Sequence, residues 1–297
     1  MFDITFLGTA SMQPTKERNL SSILVSNGNE NILIDCGEGA QRQMKIAGLK
    51  PTKITKILIS HWHSDHVLGL GGLIRYLGAN EYNGILEIYG PKGIENYFKN
   101  ILHSSIYNKF IKYKLFELKE GALFKNKFFM VEAYKLKHST DCFGFSLIEN
   151  DRRRINLSYL KKYGLKQHPL LGDLQKGKNI TWNGKNIKAK NATMLIKGKK
   201  LGLILDTSNC KNALKLAKNC DLLISEATYS NEHKEEAERY MHLTSEAAAK
   251  IAKQSKAKEL ILTHFSQRYK DVDKLLKDAK SVFKNTKAAD DFMNVKV

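Results

Sequence analysis

Directly after the apolar run Ile57-Leu58-Ile59-Ser60, the chain reads His61-Trp62-His63-Ser64-Asp65-His66. Four potential metal ligands within six residues, at the carboxyl end of a predicted strand, are not a packing feature. Three imidazoles and a carboxylate buried without a cation would leave several polar groups unsatisfied, at a few kcal/mol each. Imidazole nitrogen and carboxylate oxygen are donors that zinc accepts, as do manganese and iron. Alternation places His61 and His63 on one side of an extended turn, while Asp65 and His66 face a second position nearby. Any fold open to this chain has to bring a strand end to a metal site.

Strand-like runs rich in β-branched residues cover 2–7, 21–26, 31–35, 54–60, 85–89, 112–118, 128–137, 143–148, 192–196, 201–205, 221–225 and 258–263. Helical periodicity fits 37–47, 67–79, 92–104, 209–218, 233–240, 245–256 and 272–283. Adjacent strands dominate the first half and strand–helix alternation the second, so the chain is α/β. With four prolines in 297 residues, no Pro-rich linker divides it, and one domain spanning 1–297 is expected. Lys56-Ile57-Leu58-Ile59-Ser60-His61 echoes Glu259-Leu260-Ile261-Leu262-Thr263-His264, which hints at an internal duplication; convergence on a good strand sequence is the other reading.

The net charge of +19, with a sequence pI near 9.6, favours a polyanionic partner. It is unevenly spread. Residues 151–200 carry fourteen Lys and Arg against Asp151 and Asp173, a net of +12. Within that stretch, 161–190 is Lys-, Gly- and Asn-rich and weakly periodic. It reads as a protruding inserted arm, 151–190, that grips phosphates, or else as a solvated hairpin. No run approaches a membrane span, and the N-terminus lacks the features of a signal peptide. Cys36, Cys142, Cys210 and Cys220 form no C-x-x-C pair, so neither a thiolate zinc site nor a disulfide framework is signalled and a cytoplasmic home is expected. There is no G-x-S-x-G elbow, phosphate-binding G-x-x-x-x-G-K-[ST] loop or dinucleotide fingerprint. Gly69-Leu70-Gly71-Gly72, behind the histidine cluster, is read as allowing close helix packing. Twelve Tyr and thirteen Phe are an unremarkable aromatic content and mark no stacking platform for single strands.

The H-x-H-x-D-H pattern resembles the metallo-β-lactamase superfamily, and finer features resemble its ribonuclease Z family. Those features are Phe6-Leu7-Gly8-Thr9 with Pro14-Thr15 and Arg18-Asn19, then Pro51-Thr52-Lys53-Ile54, Gly90-Pro91-Lys92-Gly93, Lys137-His138-Ser139 with Phe143-Gly144-Phe145, and His264-Phe265-Ser266-Gln267-Arg268-Tyr269. Together they span essentially the whole chain. The resemblance implies an αββα four-layer sandwich with a protruding basic arm. It also implies a binuclear metal-dependent endoribonuclease that removes the 3′ trailer from precursor tRNA, leaving a 3′-OH on the tRNA and a 5′-phosphate on the trailer.

By the same resemblance, His138, Asp206 and His264, each following an apolar run, complete the ligand set. His61, His63 and His138 would hold one zinc, Asp65, His66 and His264 a second, and Asp206 would bridge. Asp65 would also accept the proton from the attacking water. His242 lies outside the seven ligands and is assigned as the general acid, held by Glu226; a helix-capping or surface histidine is the alternative. The basic segment, with His168-Pro169-Leu170-Leu171-Gly172, occupies the place of the family's tRNA-binding arm, with Lys176, Lys178 and Lys185 as candidate phosphate contacts. A homodimer is implied, one subunit's arm holding the tRNA that the other cuts. Two departures stand out: Ser225 where the family usually has His before Glu-Ala-Thr, and Leu243 where it has Ser in His-Ser-Thr. Alternatives of other classes are a generic binuclear-metal phosphodiesterase acting on small substrates and a non-catalytic RNA-binding protein that keeps zinc for structure.

Overall fold

In the computed structural model, which describes residues 1–106 and 111–297, two seven-stranded sheets carry most of the chain. The first six strands are β1 (Asp3–Gly8), β2 (Ser22–Asn27), β3 (Glu30–Ile34), β4 (Lys56–Leu58), β5 (Ile85–Gly90) and β6 (Lys112–Glu117). Next come β7 (Gly121–Lys125), β8 (Phe129–Lys135) and β9 (Phe143–Glu149), then four short strands in the basic segment: β10 (Arg152–Ile155), β11 (Ile180–Trp182), β12 (Lys185–Ile187) and β13 (Thr193–Ile196). The chain ends with β14 (Lys200–Ile204), β15 (Leu222–Glu226), β16 (Leu260–Thr263), β17 (Thr286–Ala288) and β18 (Asn294–Lys296). One sheet has the order β18-β1-β2-β3-β4-β5-β6 and the other β17-β16-β15-β14-β9-β8-β7. Strands β3 to β6 pair in parallel, as do β14 to β17.

Alternation along the strands builds the layers. Ile32, Ile34, Leu58, Leu201, Leu203, Leu222, Ile224 and Ile261 enter one core, shared by the two sheets. Their neighbours Leu33, Ile57 and Ile59 join a second core with Met44, Leu70, Leu73, Leu77 and Phe98, from the helices Ala40–Ile46, Gly69–Ala79 and Ile94–His103. Ile204, Leu223, Leu260 and Leu262 join a third, with Leu216, Ala248, Ala252 and Leu275 from the helices Lys211–Ala217, Ser245–Gln254 and Asp273–Val282. Helix, sheet, sheet, helix: the αββα sandwich is present. The echoing segments 56–61 and 259–264 end in β4 and β16, both interior parallel strands, one in each sheet.

Residues 148–199 form a second compact unit. The sequence marks 151–190 as an inserted basic arm, and the structure shows that this stretch has a small core of its own. Leu160, Leu165, Leu174, Ile180, Ile187, Ala189 and Ala192 are buried together, and the Trp182 indole N–H donates to the Tyr163 carbonyl at 3.0 Å. Strands β10 and β13 pair antiparallel, and β11 and β12 form a hairpin around Asn183-Gly184, both at positive φ. Asn-Gly is the preferred sequence for such a two-residue turn. The unit is held together by a few apolar side chains in very short elements, below what a period count detects. Lys176, Lys178 and Lys185 are all exposed on it. Among the described residues, no helix is long and apolar enough to cross a membrane.

Gly69 starts the helix behind the histidine cluster, where a Cβ would lie 2.1 Å from the Gly37 carbonyl oxygen and 2.9 Å from that of Cys36. Backbone cannot retreat as a side chain can. Gly69→Ala should therefore lower stability by about 1–3 kcal/mol in urea unfolding, the usual cost of overpacking. Gly72→Ala, whose methyl would meet only the Gln41 amide, should shift the midpoint far less.

Candidate metal centre

Six of the nine histidines converge at the carboxyl ends of strands from both sheets. His61 and His63 follow β4, Asp65 and His66 sit in the short helix Ser64–Val67, His138 follows β8, Asp206 follows β14 and His264 follows β16. One ligand atom from each of His61, His63, His138 and Asp206 lies within 4.8 Å of the others, and the same holds for Asp65, His66 and His264. Asp206 spans the two groups: its Oδ1 is 3.4 Å from His66 Nε2 and 3.2 Å from His264 Nε2, while its Oδ2 is 3.7 Å from His61 Nε2 and 3.8 Å from His138 Nε2.

The surroundings decide which ring nitrogen faces inward. Asp35, fully buried, accepts the Ser60 N–H and Ser60 hydroxyl at 2.7 Å each and the His66 Nδ1–H at 2.6 Å. With its proton committed to Asp35, the Ser60 hydroxyl accepts from His61 Nδ1 at 3.0 Å. Thr228 does the same on the other side, donating to Glu226 Oε2 at 2.6 Å and accepting from His264 Nδ1 at 3.0 Å. His138 Nδ1 donates to the Met241 carbonyl at 3.0 Å. All four Nδ1–H groups are thereby directed outward and all four Nε2 lone pairs inward, the arrangement that orients imidazoles on a metal.

Fit to a cation follows from what the inward atoms lack. The Nε2 atoms of His61, His66 and His264 and Oδ1 of Asp206 are buried and make no hydrogen bond. Orphaned polar atoms of this kind are costly, and a divalent ion among them satisfies all four. Charge is concentrated there too. Burial opposes ionisation of Asp65, yet His66 and His264 hold its carboxyl well below the usual range. Burial and the neighbouring His66 hold the His61 imidazole low, whereas Asp206, Asp35 and Asp65 overcome burial and hold that of His66 high. His264 and Asp35 both adopt left-handed backbone, at φ 60° and 56°, which costs non-glycine residues about 1–3 kcal/mol each.

His242 stands beside this group with its Nδ1 on the Glu226 carboxylate, at 3.1 and 3.2 Å. Burial lowers its pKa, but Glu226 and Asp206 raise it to about 9. It does not cap the following helix: Thr244 does, its Oγ1 accepting from the Ala247 N–H at 3.2 Å. Glu226 is fully buried and also accepts the Thr207 N–H at 2.7 Å. A cavity of about 660 Å³ opens onto Asp65, His138, Asp206 and His242.

A family model described as anti-Pycsar protein Apyc1 matches residues 2–157, which include His61 to His138 but stop short of Asp206, His242 and His264. Similarity to ribonuclease Z of Picosynechococcus sp. runs further, 38% identity over 98% of this chain and 95% of that protein. The chain belongs to the ribonuclease Z family. The crystal structure of human tRNase Z, short form, superposes with a TM-score of 0.73 at 29% identity, covering 99% of both chains. The metallo-β-lactamase fold protein YhfI from Bacillus subtilis, at 21% identity over 99% of this chain and 98% of its own, gives a TM-score of 0.72 and shares the fold.

Both departures from the ribonuclease Z pattern fall on buried positions. The Ser225 hydroxyl donates to the Glu226 carbonyl, and Leu243 packs in the core beneath the second sheet. Neither lines the catalytic cavity. Asp35, Ser60 and Thr228 went unnoticed in the sequence. Asp35 had a signal, since Ile32-Leu33-Ile34-Asp35 ends an apolar strand in a carboxylate just as Leu203-Ile204-Leu205-Asp206 does. Asp35→Asn turns one hydrogen-bond acceptor facing Ser60 or His66 into a donor. Divalent-metal affinity should fall 10- to 100-fold by equilibrium dialysis, the usual worth of such a partner, with the circular dichroism spectrum retained.

Proposed function

We propose that this protein is a zinc-dependent endoribonuclease that removes the 3′ trailer from precursor tRNA, leaving a 3′-OH on the tRNA and a 5′-phosphate on the trailer. The observation that carries the reading is the double-faced carboxylate of Asp206, with one oxygen toward His66 and His264 and the other toward His61 and His138. That arrangement suits two ions: one on His61, His63 and His138, one on Asp65, His66 and His264, with Asp206 between. Such a pair of ions supplies an activated water at neutral pH and charge neutralisation at phosphorus.

The side chains do the rest. Asp65 Oδ2 accepts the Met12 N–H at 2.8 Å, which fixes the carboxylate that takes the proton of the attacking water. The departing ribose O3′ needs a proton, and the Glu226 carboxylate behind His242 favours the protonated imidazole that would give it. His242 lies outside the two ligand sets just named and is assigned as the proton donor. His242→Ala should keep its metals, measured by atomic absorption at about two per chain, yet slow single-turnover cleavage by about 10²–10⁴. A wild-type rate in that variant removes the acid role.

The first test is a mass-resolved cleavage of precursor tRNA with added zinc. A trailer carrying a 5′-phosphate supports the reading, and turnover of bis(p-nitrophenyl) phosphate without cleavage of precursor favours the small-substrate phosphodiesterase instead. The basic unit would grip tRNA through its phosphates, because it offers many Lys and Arg, Lys176, Lys178 and Lys185 among them, and few aromatics. The protein would work in the cytoplasm, in keeping with four free cysteines, and as a homodimer with the arm acting in trans. Mixing a chain lacking 161–190 with an Asp65→Ala chain should then restore cleavage. Failure to complement, or a monomer by light scattering, counts against the dimer.

A further inference from the structure

We infer that Arg239 and Tyr240 form a subsite for the last nucleotide retained on the tRNA, with Tyr240 stacking on its base and Arg239 holding the phosphate on its 5′ side. The inference rests on the reading above, that the bond cut is an RNA phosphodiester whose O3′ departs toward His242. Arg239, Tyr240, Met241 and His242 are consecutive, and all four line the catalytic cavity. The turn is held firmly: the His242 N–H donates to the Ala237 carbonyl at 2.8 Å, and Met241, at φ 57°, offers its carbonyl to His138. One turn of chain thus carries the proton donor, orients a metal ligand and presents an exposed tyrosine ring. Since His242 protonates the O3′ of the retained nucleotide, that nucleotide lies on the side of the cavity where this turn runs.

The chemistry of the wall fits a nucleotide. Arg268, the other arginine in the cavity, is bound by both oxygens of Glu236 and lies over the Tyr229 ring at 5.0 Å. Arg239 likewise lies over a ring, that of Tyr240 at 5.5 Å from the centroid, but among the described residues it forms no ion pair. The carboxylates lining the cavity are Asp65 and Asp206, both assigned to the metals. Of the acids on its helix, Glu236 is bound by Arg268 although the Arg239 charge also acts on it, Glu238 lies 3.8 Å from Lys234, and Glu235, one turn earlier, forms no ion pair with Arg239. A guanidinium outside any ion pair, set against an exposed aromatic ring, is the pairing that single-stranded nucleic acid uses, charge for phosphate and ring for base.

Both side chains are exposed, so their replacement leaves folding nearly unaffected. Arg239→Gln should raise KM for precursor tRNA about tenfold and flatten the slope of log kcat/KM against log salt by about one, and Arg239→Lys should restore the slope. Tyr240→Leu should raise KM similarly, with Tyr240→Phe behaving as wild type. A precursor with an abasic site at the last retained nucleotide should lose as much as Tyr240→Leu does, and combining the two should add little, as expected when both remove one contact. Wild-type KM and salt slope in Arg239→Gln, or fully additive effects of Tyr240→Leu and the abasic precursor, overturn the subsite. The RNA reading itself falls separately, if the unmodified protein leaves precursor tRNA uncut.

Discussion

Asp35 touches no metal ligand atom on the inner side of the cluster, yet it sets the orientation of half of it. Its carboxylate, buried under the first sheet's strand ends, takes a proton donor from His66 directly and from Ser60, which in turn fixes His61. Glu226 plays the matching part under the second sheet, through Thr228 to His264 and directly to His242. Three imidazoles, His61, His66 and His264, are thereby held with Nδ1 outward and Nε2 toward the centre. A neutral imidazole left free to choose its tautomer would spend part of its time presenting an N–H to the ion. Two carboxylates behind the site remove that choice.

Most of the two main sheets could be read from alternation and apolar runs, because β3, β4, β14, β15 and β16 are buried on both faces and their sequences are nearly unbroken Leu and Ile. The edge strand β6 was legible at 112–118, but the other edges were not. β17 and β18 are three residues each, with polar Asn294, Lys287 and Lys296, and only their pairing with β16 and β1 makes them strands. The basic segment misled for a related reason: its core is seven small and aliphatic side chains scattered over elements of three to six residues, too short for a period to appear.

Within the site, His61, His63, Asp65 and His66 stood out by residue type and position after a strand, whereas His138, Asp206 and His264 needed the family resemblance, and the structure brings all seven together. The groups behind them were not found, because Asp35, Ser60 and Thr228 are ordinary residues whose role exists only in the direction of a hydrogen bond. Tyr240 is a similar case. Aromatic content alone singled out no tyrosine; the cavity picks out Tyr229 and Tyr240 from the twelve, and of these only Tyr240 is exposed.

The proposed ligands are shared between the two sheets: His61, His63, Asp65 and His66 come with the first, His138, Asp206 and His264 with the second. Neither half holds the set. The centre comes into being only after the two apolar inner faces have met, so it records the completion of the slowest, least local part of folding. An ion bound there would fasten the seam between the halves, and its occupancy would distinguish a finished molecule from one whose sheets have formed but not joined.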